Sequence, residues 1–103
     1  VPADSSSGDL SRLAAFLERY PDRTASIMGY TDDAGTDEED KARSQRSADS
    51  VMSYLIEQGI APDRLTALGM GDSSPVAPND SSSGRQQNRR VEVTIRAPRP
   101  MER

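Results

Sequence analysis

The stretch "RTASIMGYTDDAGTDEED", residues 23–40, decides how the chain is read. Ala25, Ile27 and Gly29 alternate with Thr24, Ser26 and Met28, the period of two that belongs to a strand. The alternation breaks at Thr31-Asp32-Asp33-Ala34-Gly35, a polar turn. Thr36 or Asp37 then stands where a helix N-cap is expected, and Glu39, three residues after Thr36, completes a capping box. Asp37, Glu38, Glu39 and Asp40 crowd the first turn, where negative charge suits the positive end of the helix dipole. Strand, tight turn and helix therefore follow one another within eighteen residues. Two adjacent carboxylates, Asp32 and Asp33, lie at the joint.

Outward from this joint the pattern continues. The helix runs to about Gln58, with Ala48, Val51, Met52, Leu55 and Ile56 as its apolar face and Gly59 as the residue after its C-cap. Its first half offers only Ala42 and Ala48 for burial, so that half lies at the surface or lines a polar site. Upstream, Leu10, Leu13, Ala14 and Leu17, with Phe16 adjacent, form a helical stripe that Asp9 or Ser7 can cap and Pro21 ends. Downstream, Arg64–Met70 reads as a strand and Ser73–Gly84 as a long loop of Pro, Ser, Asn and Asp. Val91, Val93 and Ile95 alternate with Glu92, Thr94 and Arg96 in a last strand. Strands alternating with helices pack as a sheet with helices on one face. The expected fold is an α/β two-layer (α+β) sandwich on a small mixed sheet. Its expected divisions are an N-terminal loop or truncated strand at 1–8, the domain at 9–97 and a tail at 98–103.

Composition narrows the function. The 103 residues suit one small domain. The net charge of −4 argues against nucleic acid, which a basic face recognises. The chain has no cysteine and no histidine. That removes disulfides, thiol chemistry, ordinary zinc sites and the Ser-His-Asp and Cys-His catalytic arrangements. No export signal or apolar span is visible, so a membrane anchor is expected upstream, outside this chain.

The Asp32/Asp33 pair has several readings. Glycosidase carboxylates sit about 5–9 Å apart across a bond and come from different elements, which adjacent residues do not reproduce. A calcium loop through Asp32, Asp33, Asp37 and Asp40 lacks the alternating acids and closing Glu of an EF-hand. A solvated turn remains, and so does a carboxylate aimed at a cationic ligand. No metal or cofactor is expected. Arg89 and Arg90 are consecutive at a strand start, so their side chains diverge to opposite faces. The one on the helix side needs a partner or a ligand, for which the acids of residues 32–40 are available.

"IMGYTDDAGT" followed by "RSQRSADSVMSYLIEQGIAPDRLTALGMGDSSPVAPNDSSSGRQQNRRVEVTI" resembles the OmpA-like C-terminal domain, a peptidoglycan-associated module. The family pattern is roughly G-[HY]-T-D-x-x-G, N-x-x-L-S-x-x-R-A-x-x-V-x-x-Y-L-x-x-x-G-I, G-x-G-x-x-x-P-x-x-x-N and G-R-x-x-N-R-R-V-E. The match spans Ile27 to Ile95 in order and spacing. The resemblance implies a β/α/β/α/β order, a periplasmic, cell-envelope location and no enzymatic activity. It also implies non-covalent binding to the meso-diaminopimelate of the peptidoglycan stem peptide. Asp32, beside Thr31, would take the ligand ammonium, an Arg on the second helix its carboxylate, and Arg89 a further polar contact. Fixed anion and forked cation together match an amino-acid head group.

The chain departs from the pattern at the cation. Ser47 stands where the family has Arg, Arg43 where it has Leu, and Asp40 where it has Asn. Arg46 is the nearest replacement in sequence, about 100° around the helix; Arg43 lies one turn before Ser47 on the same face. Either Arg46 or Arg43 supplies the carboxylate contact, or diaminopimelate binds weakly, or the ligand is another. The expected function is wall anchoring through Asp32, Arg46, Thr31, Asp40, Ser47 and Arg89. The alternative is an OmpA-like interaction or signalling module with weakened wall binding, in which homodimer formation is possible.

Overall fold

The computed structural model describes residues 7–98, with side chains from Asp9 onward. Most of the segment expected as a loop or truncated strand, and most of the tail, lie outside the described residues. The element order is α1 (Ser7–Arg19), β1 (Thr24–Tyr30), α2 (Asp37–Glu57), a 3₁₀ turn (Pro62–Arg64), β2 (Leu65–Gly69), α3 (Ser82–Asn88) and β3 (Arg90–Arg96). The strands form one mixed sheet in the order β2-β1-β3. β1 pairs parallel with β2 and antiparallel with β3.

The alternation read from the sequence holds: Ala25 and Ile27 of β1, Leu65 of β2 and Val91 of β3 are buried beneath the helices. Leu10, Ala14 and Leu17 of α1 and Ala48, Val51 and Leu55 of α2 complete the core. Phe16 and Ile56, expected on the apolar faces, are exposed at the rims. Thr36 and Glu39 close the capping box: the Glu39 amide donates to Thr36 Oγ1 at 3.1 Å, and the Thr36 amide to Glu39 Oε1 at 2.9 Å. At the other end Gly59, at φ +98°, follows the C-cap Gln58. The Gly59 and Ile60 amides donate to the carbonyls of Ile56 and Leu55, a Schellman closure. α1 starts at Ser7, so Asp9 sits inside its first turn and not at the cap.

The segment expected as unbroken loop to Gly84 instead turns into α3 at Ser82. Ser81 caps it, its hydroxyl accepting from the Gly84 amide at 3.0 Å. Serine, glycine and asparagine are weak helix formers, so this helix carries little local signal. It is held by Asn88, which is fully buried. Its Oδ1 accepts from the Val76 and Ala77 amides, and its Nδ2 donates to the Ala77 carbonyl and Asn79 Oδ1. Arg64, expected as the first strand residue, lies in the 3₁₀ turn. From there it donates to the carbonyls of Leu17 in the last turn of α1 and of Tyr20 and Arg23 in the connection to β1.

Gly29 and Gly69 are register partners on adjacent strands. A Cβ built on Gly29 would lie 1.9 Å from the Ser44 carbonyl oxygen, and one on Gly69 would lie 2.5 Å from the Gln45 amide nitrogen. Both obstacles are backbone and cannot swing away. The two glycines thus let α2 rest directly on the C-terminal ends of β1 and β2. Gln45 uses the proximity, accepting from the Gly69 amide at 2.7 Å and donating to the Ala67 carbonyl at 3.1 Å. Gly29→Ala should cost about 3 kcal/mol or more, the upper range for overpacking a rigid core. A urea midpoint unchanged in Gly29→Ala would show that α2 can lift off the sheet freely.

Candidate functional site

The seating of α2 brings its first two turns against the loop that leaves β1. Thr31 and Asp32 are buried there although they follow the strand. The Thr31 amide donates to the Gly71 carbonyl at 2.9 Å, and the Met70 amide to the Gly29 carbonyl at 2.8 Å. The two loops at this end of the sheet are therefore tied together. Ser44, fully buried, accepts from the Gly71 amide at 2.8 Å and donates to the Lys41 carbonyl at 2.9 Å, pinning the same turn to α2.

Asp32 is 2% exposed. Its Oδ1 accepts from the Ala34 amide at 3.1 Å, which shapes the turn, and its Oδ2 accepts from Arg89 Nη1 at 2.6 Å. Arg43 Nη2 stands 3.6 Å from Oδ1. Burial pushes the Asp32 carboxyl up. The Arg89 hydrogen bond, the Ala34 amide and the charges of Arg89 and Arg43 outweigh it, so the carboxyl titrates below its ordinary value. Asp40 is 1% exposed, and its Oδ1 accepts from the Gly35 amide at 3.1 Å and from Arg43 Nη2. Arg43 thus bridges two buried carboxylates, one on the loop and one three residues earlier on its own helix. Gly35 has no positive φ. Its small size matters because an added Cβ would meet Glu39 Oε1 at 2.9 Å and Asp40 Oδ1 at 3.2 Å.

An open groove of about 400 Å³ adjoins this cluster, lined by Ala34, Gly35, Glu39, Ala42, Arg43 and Arg46. Thr31, Asp32, Asp40 and Arg89 are therefore gathered at one place. Arg46, the sequence's nearest replacement for the family arginine, lies on the groove's exposed far side, and makes no ion pair among the described residues. Ser47 donates its hydroxyl to the Arg43 carbonyl at 3.2 Å, a bond within α2. The cation beside Asp32 on this helix is Arg43. Arg89 and Arg90 diverge: Arg89 turns to Asp32, while Arg90 lies over the Tyr30 ring at 4.0 Å and pairs with Glu92. Asn88 and Ser44, which hold the loops around the site, stand inside recognisable motifs, but the reason for each is a contact distant in sequence.

The molecule is thus an α+β layer carrying a buried aspartate with arginines on either side and an open groove beside them. Comparison places it further: residues 3–89 match the OmpA family, and the chain belongs to it. The chain is 44% identical over 97 residues to outer membrane porin F of Pseudomonas fluorescens, covering 94% of this chain and 30% of that protein. It is 37% identical over 95 residues to the peptidoglycan-binding protein ArfA of Mycobacterium tuberculosis, 92% of this chain and 28% of that one. The solved peptidoglycan-associated lipoprotein of Burkholderia pseudomallei superposes with a TM-score of 0.81 at 31% identity, over 84% of this chain and 74% of that one. The chain therefore spans less than a third of the length of these two curated relatives. The expected mixed-sheet, two-layer fold of this family is the fold observed. No described helix is long and apolar enough to cross a membrane.

Because the Asp32 carboxyl is depressed, its contribution to stability is present above the unfolded value of about 4 and disappears as pH falls through the folded value. Asp32→Asn should lower stability at pH 7 by on the order of 1 kcal/mol, the lower end for a charged hydrogen bond because both arginines are partly exposed and screened. It should also flatten the loss of stability as pH falls below about 4. Thermal unfolding of both proteins across that range checks this; identical acid limbs would show that Asp32 carries no folding-linked charge.

Proposed function

We propose that this domain binds peptidoglycan non-covalently through the meso-diaminopimelate head group of the stem peptide, and so holds an envelope protein to the cell wall. The observation that carries the reading is a buried, ionised Asp32 at the edge of a groove lined by two guanidinium groups, Arg43 and Arg46. Family membership and the similarity to the peptidoglycan-binding protein ArfA support it. A ligand ammonium displaces Arg43 from Asp32 Oδ1, where the arginine sits only 3.6 Å away, while Arg89 keeps Oδ2. Arg43 and Arg46 then face the ligand carboxylate across the groove, with Arg43 still anchored by Asp40. Charge recognition of this kind needs no proton transfer, and the domain is read as a binding module and not an enzyme. Its place is the periplasm, with any membrane attachment supplied by other parts of the parent protein.

A second reading is an interaction module that keeps the fold and binds the wall weakly. Ser47 favours it, because the family arginine is missing there and its hydroxyl is spent on the Arg43 carbonyl. Self-association into a homodimer belongs to this reading.

An NMR titration with meso-diaminopimelate separates the two. Wall recognition predicts saturable shifts at Thr31–Gly35 and in the first turns of α2, lost in Asp32→Asn. Arg43→Ala should weaken binding by about tenfold to a hundredfold, the loss of one charge-assisted hydrogen bond. Arg46→Ala should weaken it less. No shifts at millimolar ligand or with muropeptides, together with a stable dimer in sedimentation, would favour the interaction module.

A further inference from the structure

We infer that Asp37, Asp40 and Asp72 form a binding site for a hard divalent cation, with Ca²⁺ the best fit, at the junction of α2 and the 70–73 turn. One carboxylate oxygen from each of the three lies within 4.8 Å of the other two. Asp40 supplies an independent sign of a ligand. Its side chain is 1% exposed, and its Oδ2 is buried with no hydrogen-bond partner among the described residues. Oδ1 is already taken by the Gly35 amide and Arg43, so Oδ2 is the oxygen left for a ligand. Buried carboxylate oxygens are otherwise paired or bound to metal.

Coordination flexibility favours Ca²⁺, which takes six to eight oxygen ligands at about 2.3–2.6 Å in adaptable geometry, a sphere that three carboxylates and water can supply. Mg²⁺, at about 2.0–2.1 Å, needs a tighter and near-octahedral cage. Charge agrees. Arg43 and Arg89 offset two of the four carboxylates Asp32, Asp37, Asp40 and Asp72, and a divalent ion offsets the other two. The positive end of the α2 dipole opposes a cation with roughly half a unit charge, which three carboxylates exceed.

The ligands come from held elements. Asp37 and Asp40 lie in the capped first turn of α2. Asp72 follows Gly71, whose amide is bound by Ser44 and whose carbonyl accepts from Thr31. Asp37 is exposed and Asp72 half-buried, so water completes the coordination sphere. The expected affinity is on the order of 10⁻⁴–10⁻³ M, the range of extracellular calcium modules.

The test is a ¹⁵N–¹H titration of the chain with CaCl₂ at about 0.15 M NaCl, where surface charge is screened. Saturable shifts at the amides of residues 37–40 and 71–73 are expected, with MgCl₂ binding several-fold more weakly. Asp72→Asn, at a half-buried position that tolerates the change, should weaken Ca²⁺ at least tenfold, and Asp37→Asn should do the same. Calcium should also raise the unfolding temperature of the unaltered protein and not that of Asp72→Asn. Shifts that stay linear through 10 mM Ca²⁺, or saturate equally in both variants, overturn the site. The diaminopimelate titration is run without Ca²⁺ and is read through Asp32→Asn, so either result can fail without the other.

Discussion

The contact on which this domain depends is between two glycines and a helix backbone. Gly29 and Gly69, side by side in the sheet, leave no Cβ between β1, β2 and the Ser44–Gln45 stretch of α2. A helix packed through side chains stands off from a sheet by the depth of those side chains; here its own peptide groups reach the strand ends. Three consequences follow from that approach. Ser44 becomes fully buried and binds the 70–73 turn. Gln45 pairs with β2 backbone as a neighbouring strand would. Asp40 and Arg43, one turn earlier, are carried to the loop after β1. The polar first half of α2, with almost nothing apolar to bury, is thus held down by hydrogen bonds and by shape, not by hydrophobic area.

That arrangement places charge where solvent is scarce. Two aspartates with almost no exposure, Asp32 and Asp40, sit within reach of one guanidinium. Buried carboxylates cost several kcal/mol each unless they are paired and hydrogen-bonded. Asp32 meets that condition through Arg89, Arg43 and the Ala34 amide. Asp40 meets it on one oxygen only. The asymmetry separates the two acids by role. Asp32 has both oxygens partnered, and Arg43, which stands beside its Oδ1, lines the neighbouring groove.

The parts legible in the sequence are those with local causes. Thr36 and Glu39 announce their capping box by spacing, Gly59 its Schellman closure, and Ala25, Ile27 and Val91 their burial by alternation. The family motif pointed to Asp32 and Arg89, which the fold brings into contact. What escaped depends on distance along the chain. Nothing near Gly69 in sequence says that Gln45 lies against it. Helix α3 has poor intrinsic propensity and exists because Ser81 caps it and Asn88 holds the preceding loop. Nearness in sequence to position 47 favours Arg46, although Arg43 shares its helix face. Asp40, placed three residues before Arg43, draws that guanidinium into the cluster and leaves Arg46 on the rim.

The three departures from the family pattern on α2 therefore belong together. Asp in place of Asn at 40 introduces a buried charge that needs a cation. Arg in place of Leu at 43 supplies it from the adjacent turn. Arg43 then stands 3.6 Å from Asp32, and serine at 47 closes on the Arg43 carbonyl. The helix cation beside Asp32 sits about 6 Å nearer the start of α2 than position 47, one turn of α-helical rise. This placement has a thermodynamic consequence, because one guanidinium serves two acids. Any ligand that takes over one of those acids changes how strongly Arg43 holds the other, and the coupling is the same in both directions.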